Sequence, residues 1–204
     1  MESKSIFIQL NNTDKQQIGE NGLPINGAVF YADDYDSGKK IPEYVEKAIF
    51  DAVKDIEKKS GKVFGGDHNP LLVSVRSGAR VSMPGMMDTI LNLGLNETSC
   101  AAIAKETGNE RFALDSYRRF ILMFTNIAKG HPRTEMDKML DDLKKSRGYK
   151  LDTEVTAEEL KVLVAKYKDY YKKTFGEEFP TDPKVQLMEA VAAVFRSWDN
   201  PRAN

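Results

Sequence analysis

Cysteine is nearly absent from the chain. Cys100 is the only one in 204 residues, so no disulfide can close within the sequence, and the usage fits a reducing compartment. Histidine is almost as scarce, with only His68 and His131, and no pair of His or Cys has the spacing of a metal-ligand set. An excess of one charge is also missing: 30 Lys and Arg face 31 Asp and Glu, for a net charge of −1. That balance argues against a bulk electrostatic grip on nucleic acid or on an anionic membrane. No apolar run reaches membrane-spanning length, and Met1-Glu-Ser-Lys-Ser5 opens no signal-peptide stretch. Repeats, low-complexity tracts and a Walker loop are absent too. What is present, 41% hydrophobic and 30% charged residues, is the mix of a soluble globular protein, and the expected location is cytoplasmic. The length suits one substantial domain, or one domain carrying a second lobe.

The front of the chain reads as mixed strand and helix. Ile6–Leu10 and Ala28–Tyr31 are short β-prone runs separated by Asn, Gly and Pro. Val45, Ala48, Ile49, Ala52, Val53 and Ile56 recur at helical spacing, with Pro42 near the start and Gly61 just past the end. Leu71–Val75, branched and nearly continuous in apolar character, predicts a strand buried on both faces and an α/β layer.

From Asn96 onward the pattern is helical. Phe112, Ala113, Tyr117, Phe120, Ile121, Phe124 and Ile127 form one stripe, and Met136, Met139, Leu140 and Leu143 a second, bounded by Thr134 and Gly148. Thr156-Ala-Glu-Glu159 is a capping-box pattern opening a helix through Leu160, Leu163, Val164, Tyr167 and Tyr171. Asp182-Pro183 opens a last helix with Val185, Met188, Val191, Ala192 and Phe195 inside and Trp198 at its end. The expected class is α+β: an α/β lobe over residues 1–95, a helical subdomain over 96–181, and a segment over 182–204 that returns to the first lobe, carrying Phe195 and Trp198 back to it.

Between the Leu71–Val75 run and the helices lies Arg76-Ser-Gly-Ala-Arg-Val-Ser-Met-Pro-Gly-Met-Met-Asp-Thr89, with no clean period. Such a stretch buries little for the conformational entropy it costs, so something besides core packing keeps it. Arg76 directly follows the strand, where side chains at the carboxyl edge of a sheet commonly meet ligands. Arg80 follows across Gly78. Guanidinium groups bind phosphate oxygens bidentately, glycines admit backbone N–H groups to the same anion, and Ser82 and Thr89 add hydroxyls. Two readings stand at this level: a polyphosphate cradle, or two surface arginines ion-paired with Asp88 or Glu97.

The unbroken stretch Asn69-Pro-Leu-Leu-Val-Ser-Val-Arg-Ser-Gly-Ala-Arg-Val-Ser-Met-Pro-Gly-Met-Met-Asp-Thr-Ile-Leu-Asn-Leu-Gly-Leu-Asn96 closely resembles the signature of the pyruvate phosphate dikinase family. Arg111–Ile121 and Ala193–Ala203 resemble the same family, and the likeness covers roughly residues 22–203. The resemblance implies the front part of an ATP-grasp domain that clamps ATP between two lobes. It implies an enzyme interconverting ATP, pyruvate and phosphate with AMP, phosphoenolpyruvate and pyrophosphate, using Mg2+ and a phosphohistidine. It also implies ATP-phosphate contact by Arg76, with Arg80, Ser82, Gly85 and Thr89 beside the nucleotide. The partners implied are ATP or AMP and the remaining domains: a second ATP-grasp lobe carrying the magnesium carboxylates, a phosphohistidine domain and a pyruvate-binding barrel. None of these domains is read in the sequence, so the chain alone is expected not to turn over. The family's Gly-Gly-Lys-Gly segment is also missing. Leu10–Glu20 stands in its place, and Lys15 lacks the flanking glycines. Two other readings follow from these departures, a stand-alone nucleotide-binding or regulatory module and a helical interaction module.

The other polar residues read as ordinary. Neither histidine sits in the Thr-Ser-His context of the family's phosphorylated residue. Arg118 and Arg119 fit an ion-paired helix face, or alternatively reach toward the nucleotide lobe or a partner domain.

Overall fold

The computed structural model describes residues 5–10, 27–31, 41–77 and 89–197. Its strands are β1 (Ser5–Leu10), β2 (Gly27–Tyr31), β3 (Val63–Phe64), β4 (Pro70–Leu71), β5 (Val73–Ser77) and β6 (Thr89–Leu93). Its helices are α1 (Glu43–Ser60), α2 (Glu97–Thr107), α3 (Glu110–Ile127), α4 (Thr134–Arg147), α5 (Ala157–Phe175) and α6 (Pro183–Ser197), with a 3-10 turn at Asp152–Glu154. Helices and small sheets together make an α+β chain.

The main sheet has the order β2-β1-β5-β6, and every neighbouring pair is antiparallel. This corrects the expected α/β layer. α1 does carry the chain from β2 across to β5, and those two strands run the same way. However, β1 lies between them and pairs antiparallel with both, so the crossover closes no parallel ladder. The Leu71–Val75 run also divides. Pro70 and Leu71 pair in parallel with Val63 and Phe64, and only Val73 onward joins the main sheet. Burial on both faces does hold for that strand: Val73, Ser74 and Val75 are all buried.

Strand β6 has no period-2 signature, because it carries a bulge. Val75 pairs with Ile90 and Val73 with Leu93, so one more residue is spent on β6 than on β5. Asn92 absorbs the difference at φ 61°. Both Ile90 and Leu93 are thereby turned into the core, three positions apart.

The helix boundaries follow their caps. Pro42 precedes α1, and Gly61 ends it in the left-handed region at φ 66°. Asn96 Oδ1 accepts from Ser99 N at 2.8 Å, and Ser99 Oγ accepts from Asn96 N at 3.0 Å, which closes a reciprocal box at the head of α2. The box expected at Thr156 is present as well, with Glu159 Oε2 accepting from Thr156 N at 3.0 Å and Thr156 Oγ1 accepting from Glu159 N at 3.3 Å.

α3 is the axis of the helical half. It packs on α2 and α5, and its sheet-facing side meets β6. Phe120 and Phe124 contact Phe179 edge-on at 5.9 and 5.4 Å between centroids, and Tyr171 meets Phe179 at 5.3 Å. The Tyr167 hydroxyl donates to Met136 O at 2.7 Å and fastens α5 to α4. Two residues assigned to the inner stripes face out instead: Phe112 is 50% and Val185 44% exposed. Each sits one position off the arc that reaches the core, beside buried Ala113 and Gln186 respectively.

α6 returns to the sheet and packs on β5 and β6. Gln186, fully buried, is the clasp. Its Oε1 accepts from Gly94 N at 2.9 Å, and its Nε2 donates to Leu95 O and Pro180 O, both at 2.8 Å. Gly94 sits at φ 100° and has no room for a side chain, since a Cβ would come within 2.9 Å of Leu71 O. Phe195 is 1% exposed, while Trp198 lies outside the described residues.

Candidate functional site

The sheet fixes one end of the candidate cradle. In β5 the side chains alternate, so Val73 and Val75 share the fully buried face and Ser74 and Arg76 the other. Arg76 stands opposite Phe7 on β1 and Thr89 on β6. Its position is half-buried, with Nε withdrawn from solvent. Thr89 is half-buried too. Two of the residues singled out in the sequence, Arg76 and Thr89, are thus direct cross-strand neighbours at the end of the β5–β6 pair where the chain leaves β5 and enters β6. Arg80, Ser82 and Gly85, together with Asp88, lie outside the described residues. Lys15 lies outside them as well.

Glu97, the other acid weighed as a partner for these arginines, is engaged elsewhere: its carboxylate is hydrogen-bonded by Lys168. Burial is the largest single influence and works to raise the Glu97 pKa, but the Lys168 contact, a backbone hydrogen bond and the Tyr117 hydroxyl together hold the carboxyl below its usual value.

Arg118 and Arg119 take the ion-paired reading. Arg118 is 3% exposed, and its Nε and Nη2 both reach Asp115 Oδ1, at 2.9 and 2.7 Å. Arg119 Nε pairs with Asp115 Oδ2 at 2.9 Å. The pair lines a cleft of about 740 Å³ between β6, α3 and α4, where Arg133 meets Asp137 at 2.6 Å and Lys144 meets Asp152 at 2.7 Å. The hydrogen bond from Lys144 holds the Asp152 carboxyl below its ordinary range. Most of the charge in this cleft is already matched within the protein, so a phosphate entering it would have to displace existing ion pairs.

His131 Nε2 is hydrogen-bonded with the Tyr170 hydroxyl at 2.9 Å, and His68 Nδ1 sits 2.7 Å from Asp67 Oδ1 at the surface. Both are structural contacts. Among the described residues no group of three His, Cys, Asp or Glu comes together as a metal site, and no described helix is long and apolar enough to cross a membrane. Sequence reasoning passed over Gln186, which fixes Gly94 and Leu95 just beyond β6. Its only signal is a polar residue between Val185 and Leu187 in an apolar helix.

Residues 36–204 match the family model described as "Pyruvate phosphate dikinase, AMP/ATP-binding domain". The chain is 55% identical over 170 residues to the pyruvate, phosphate dikinase of Clostridium symbiosum, which covers 83% of this chain and 20% of that protein. It is 51% identical over 168 residues to the chloroplastic enzyme of Flaveria pringlei, covering 82% and 18%. It is 52% identical over 167 residues to that of Entamoeba histolytica, covering 82% and 19%. The chain therefore spans about 20% of the length of the relatives it matches.

Proposed function

The chain belongs to the pyruvate phosphate dikinase AMP/ATP-binding family, and from that premise we propose that it forms the first lobe of an ATP-grasp nucleotide site. Arg76 grips the phosphates with its guanidinium. The observation that carries this reading is the β5–β6 register, which sets Arg76 beside Thr89 at one end of a well-buried strand pair. A strand-held guanidinium is pre-oriented, so less entropy is lost per hydrogen bond to a phosphate oxygen. Thr89 supplies a hydroxyl donor from the neighbouring strand. Arg80, Ser82 and Gly85 complete the cradle in this reading.

The complete reaction is ATP, pyruvate and phosphate to AMP, phosphoenolpyruvate and pyrophosphate, and it needs further domains. A second ATP-grasp lobe closes over the nucleotide, and a phosphohistidine domain carries the phosphoryl group. Mg2+ neutralises polyphosphate charge in such chemistry. In this reading the magnesium carboxylates belong to the second lobe. The working compartment is the cytoplasm, in keeping with the single buried cysteine.

ATP binding tests the reading. Each charge-assisted hydrogen bond contributes about 1.5–3 kcal/mol, while association costs at least about 4 kcal/mol. Two or three such contacts leave a Kd on the order of 1 mM at best. Equilibrium binding of ATP to the chain should show that affinity, and Arg76→Ala should abolish it. Undiminished binding in the variant would remove Arg76 from the site.

A further inference from the structure

α4 and α5 meet along a groove of about 620 Å³ lined only by residues of those two helices. It shares no residue with the Arg76–Thr89 pair. Its floor is apolar: Met139 and Leu143 from α4 are half-buried, and Leu163 from α5 is buried. Val162 stands at the edge of this floor and is 57% exposed. Glu158 lies one turn before Val162 and Lys166 one turn after it, so the three form a single stripe along α5 that lines the groove. Two ions beside the stripe are already taken: Arg147 Nε is 2.8 Å from Glu159 Oε1, and Lys161 Nζ is 2.6 Å from Glu110 Oε1. Glu158 and Lys166 make no ion pair among the described residues. Asp142 lies on the α4 wall and is not part of the stripe.

A stripe that reads acid, apolar, base is complementary to itself run backwards. When two copies lay α5 against α5 antiparallel, with the two-fold axis at Val162, Glu158 of each copy comes opposite the partner's Lys166. Each Val162 then covers the apolar edge of the other groove. A parallel arrangement, or a partner helix carrying one sign of charge, would set like charges together at one end of the stripe or at both. We propose that the occupant of this groove is a second copy of the chain, held through an antiparallel α5–α5 contact centred on Val162. A contact confined to two helices falls short of the about 1,200 Å² of a stable interface, so the association is weak, with a Kd on the order of 100 µM.

Sedimentation equilibrium of the full chain, from about 10 µM to about 1 mM, reads this directly: the mean mass should climb from 23.0 kDa towards twice that value. Val162→Asp, at an exposed position, should keep the circular dichroism spectrum of the folded chain yet hold it monomeric, because two carboxylates would meet at the axis. Glu158→Lys alone and Lys166→Glu alone should each weaken association about tenfold, since the symmetry counts every reversal twice. Both exchanges in one chain should restore the original affinity, and an equimolar mixture of the two single variants should form a heterodimer. A chain that stays monomeric throughout this range leaves the groove to some other segment and overturns the proposal. A dimer that survives Val162→Asp, or a loss in the single variants that the double exchange does not rescue, would overturn it equally.

Discussion

Replacing Gln186 with leucine should destabilise the chain more than any surface change, because one side chain serves three backbone groups from two regions. Its amide accepts from Gly94 N at 2.9 Å and donates to Leu95 O and Pro180 O at 2.8 Å, with no exposure to water. Each bond is worth about 1 kcal/mol net, and a buried N–H left without a partner costs about 1–3 kcal/mol. Leucine is similar in size and recovers some apolar burial, but it can meet none of these groups. The expected loss is about 3 kcal/mol, or a drop in Tm of roughly 6–12 °C for a chain of this length. Urea denaturation followed by circular dichroism measures it directly, with Val185→Ala at the exposed neighbouring position as a control expected to stay within about 0.5 kcal/mol. A loss under about 1 kcal/mol for Gln186→Leu would mean that these groups are satisfied some other way, and that α6 is held to the sheet by apolar contact alone.

Three further outcomes follow from particular residues. Thr156→Ala removes half of a reciprocal cap and should cost about 1 kcal/mol in the same denaturation assay. Cys100 is raised by burial, and by Glu97 and Glu110, from 9.0 to about 11. Iodoacetamide should therefore modify it far more slowly than free cysteine at pH 8, and its contribution to stability, complete below pH 9, should be lost as pH rises from 9 to 11. Incubation of the chain with ATP and Mg2+, with or without pyruvate and phosphate, should yield no AMP above background; AMP formation abolished by Arg76→Ala would contradict the need for a second lobe.

Much of the helical structure was legible because its physics is local. The Thr156–Glu159 box and the Pro42–Gly61 brackets of α1 are written in neighbouring residues, and the structure places caps at those points. What escaped depends on partners distant in sequence. β6 hides because its bulge at Asn92 replaces a period of two with a spacing of three between Ile90 and Leu93. The antiparallel sheet hides because β1, from the far end of the chain, slips between β2 and β5. Gln186 looks like a flaw in an apolar helix until Gly94 and Pro180 are brought to it. Phe112 and Val185 were assigned to the core on hydrophobicity, yet each sits one step off the buried arc. For the candidate site, Arg76 was legible from its position after a buried strand and from a long motif. Its pairing with Thr89 was not, because it requires the register of β5 and β6.

The central claim is that ATP phosphate meets the chain at the β5–β6 end rather than on the helices. Amide chemical-shift mapping with ATP tests it most directly. The account predicts shifts over residues 74–89, weakened by added salt, reduced in Arg76→Lys because an ammonium cannot reproduce the two-pronged contact, and lost in Arg76→Ala. Shifts clustered on α2 to α5, or a map unchanged by Arg76→Ala, would contradict it.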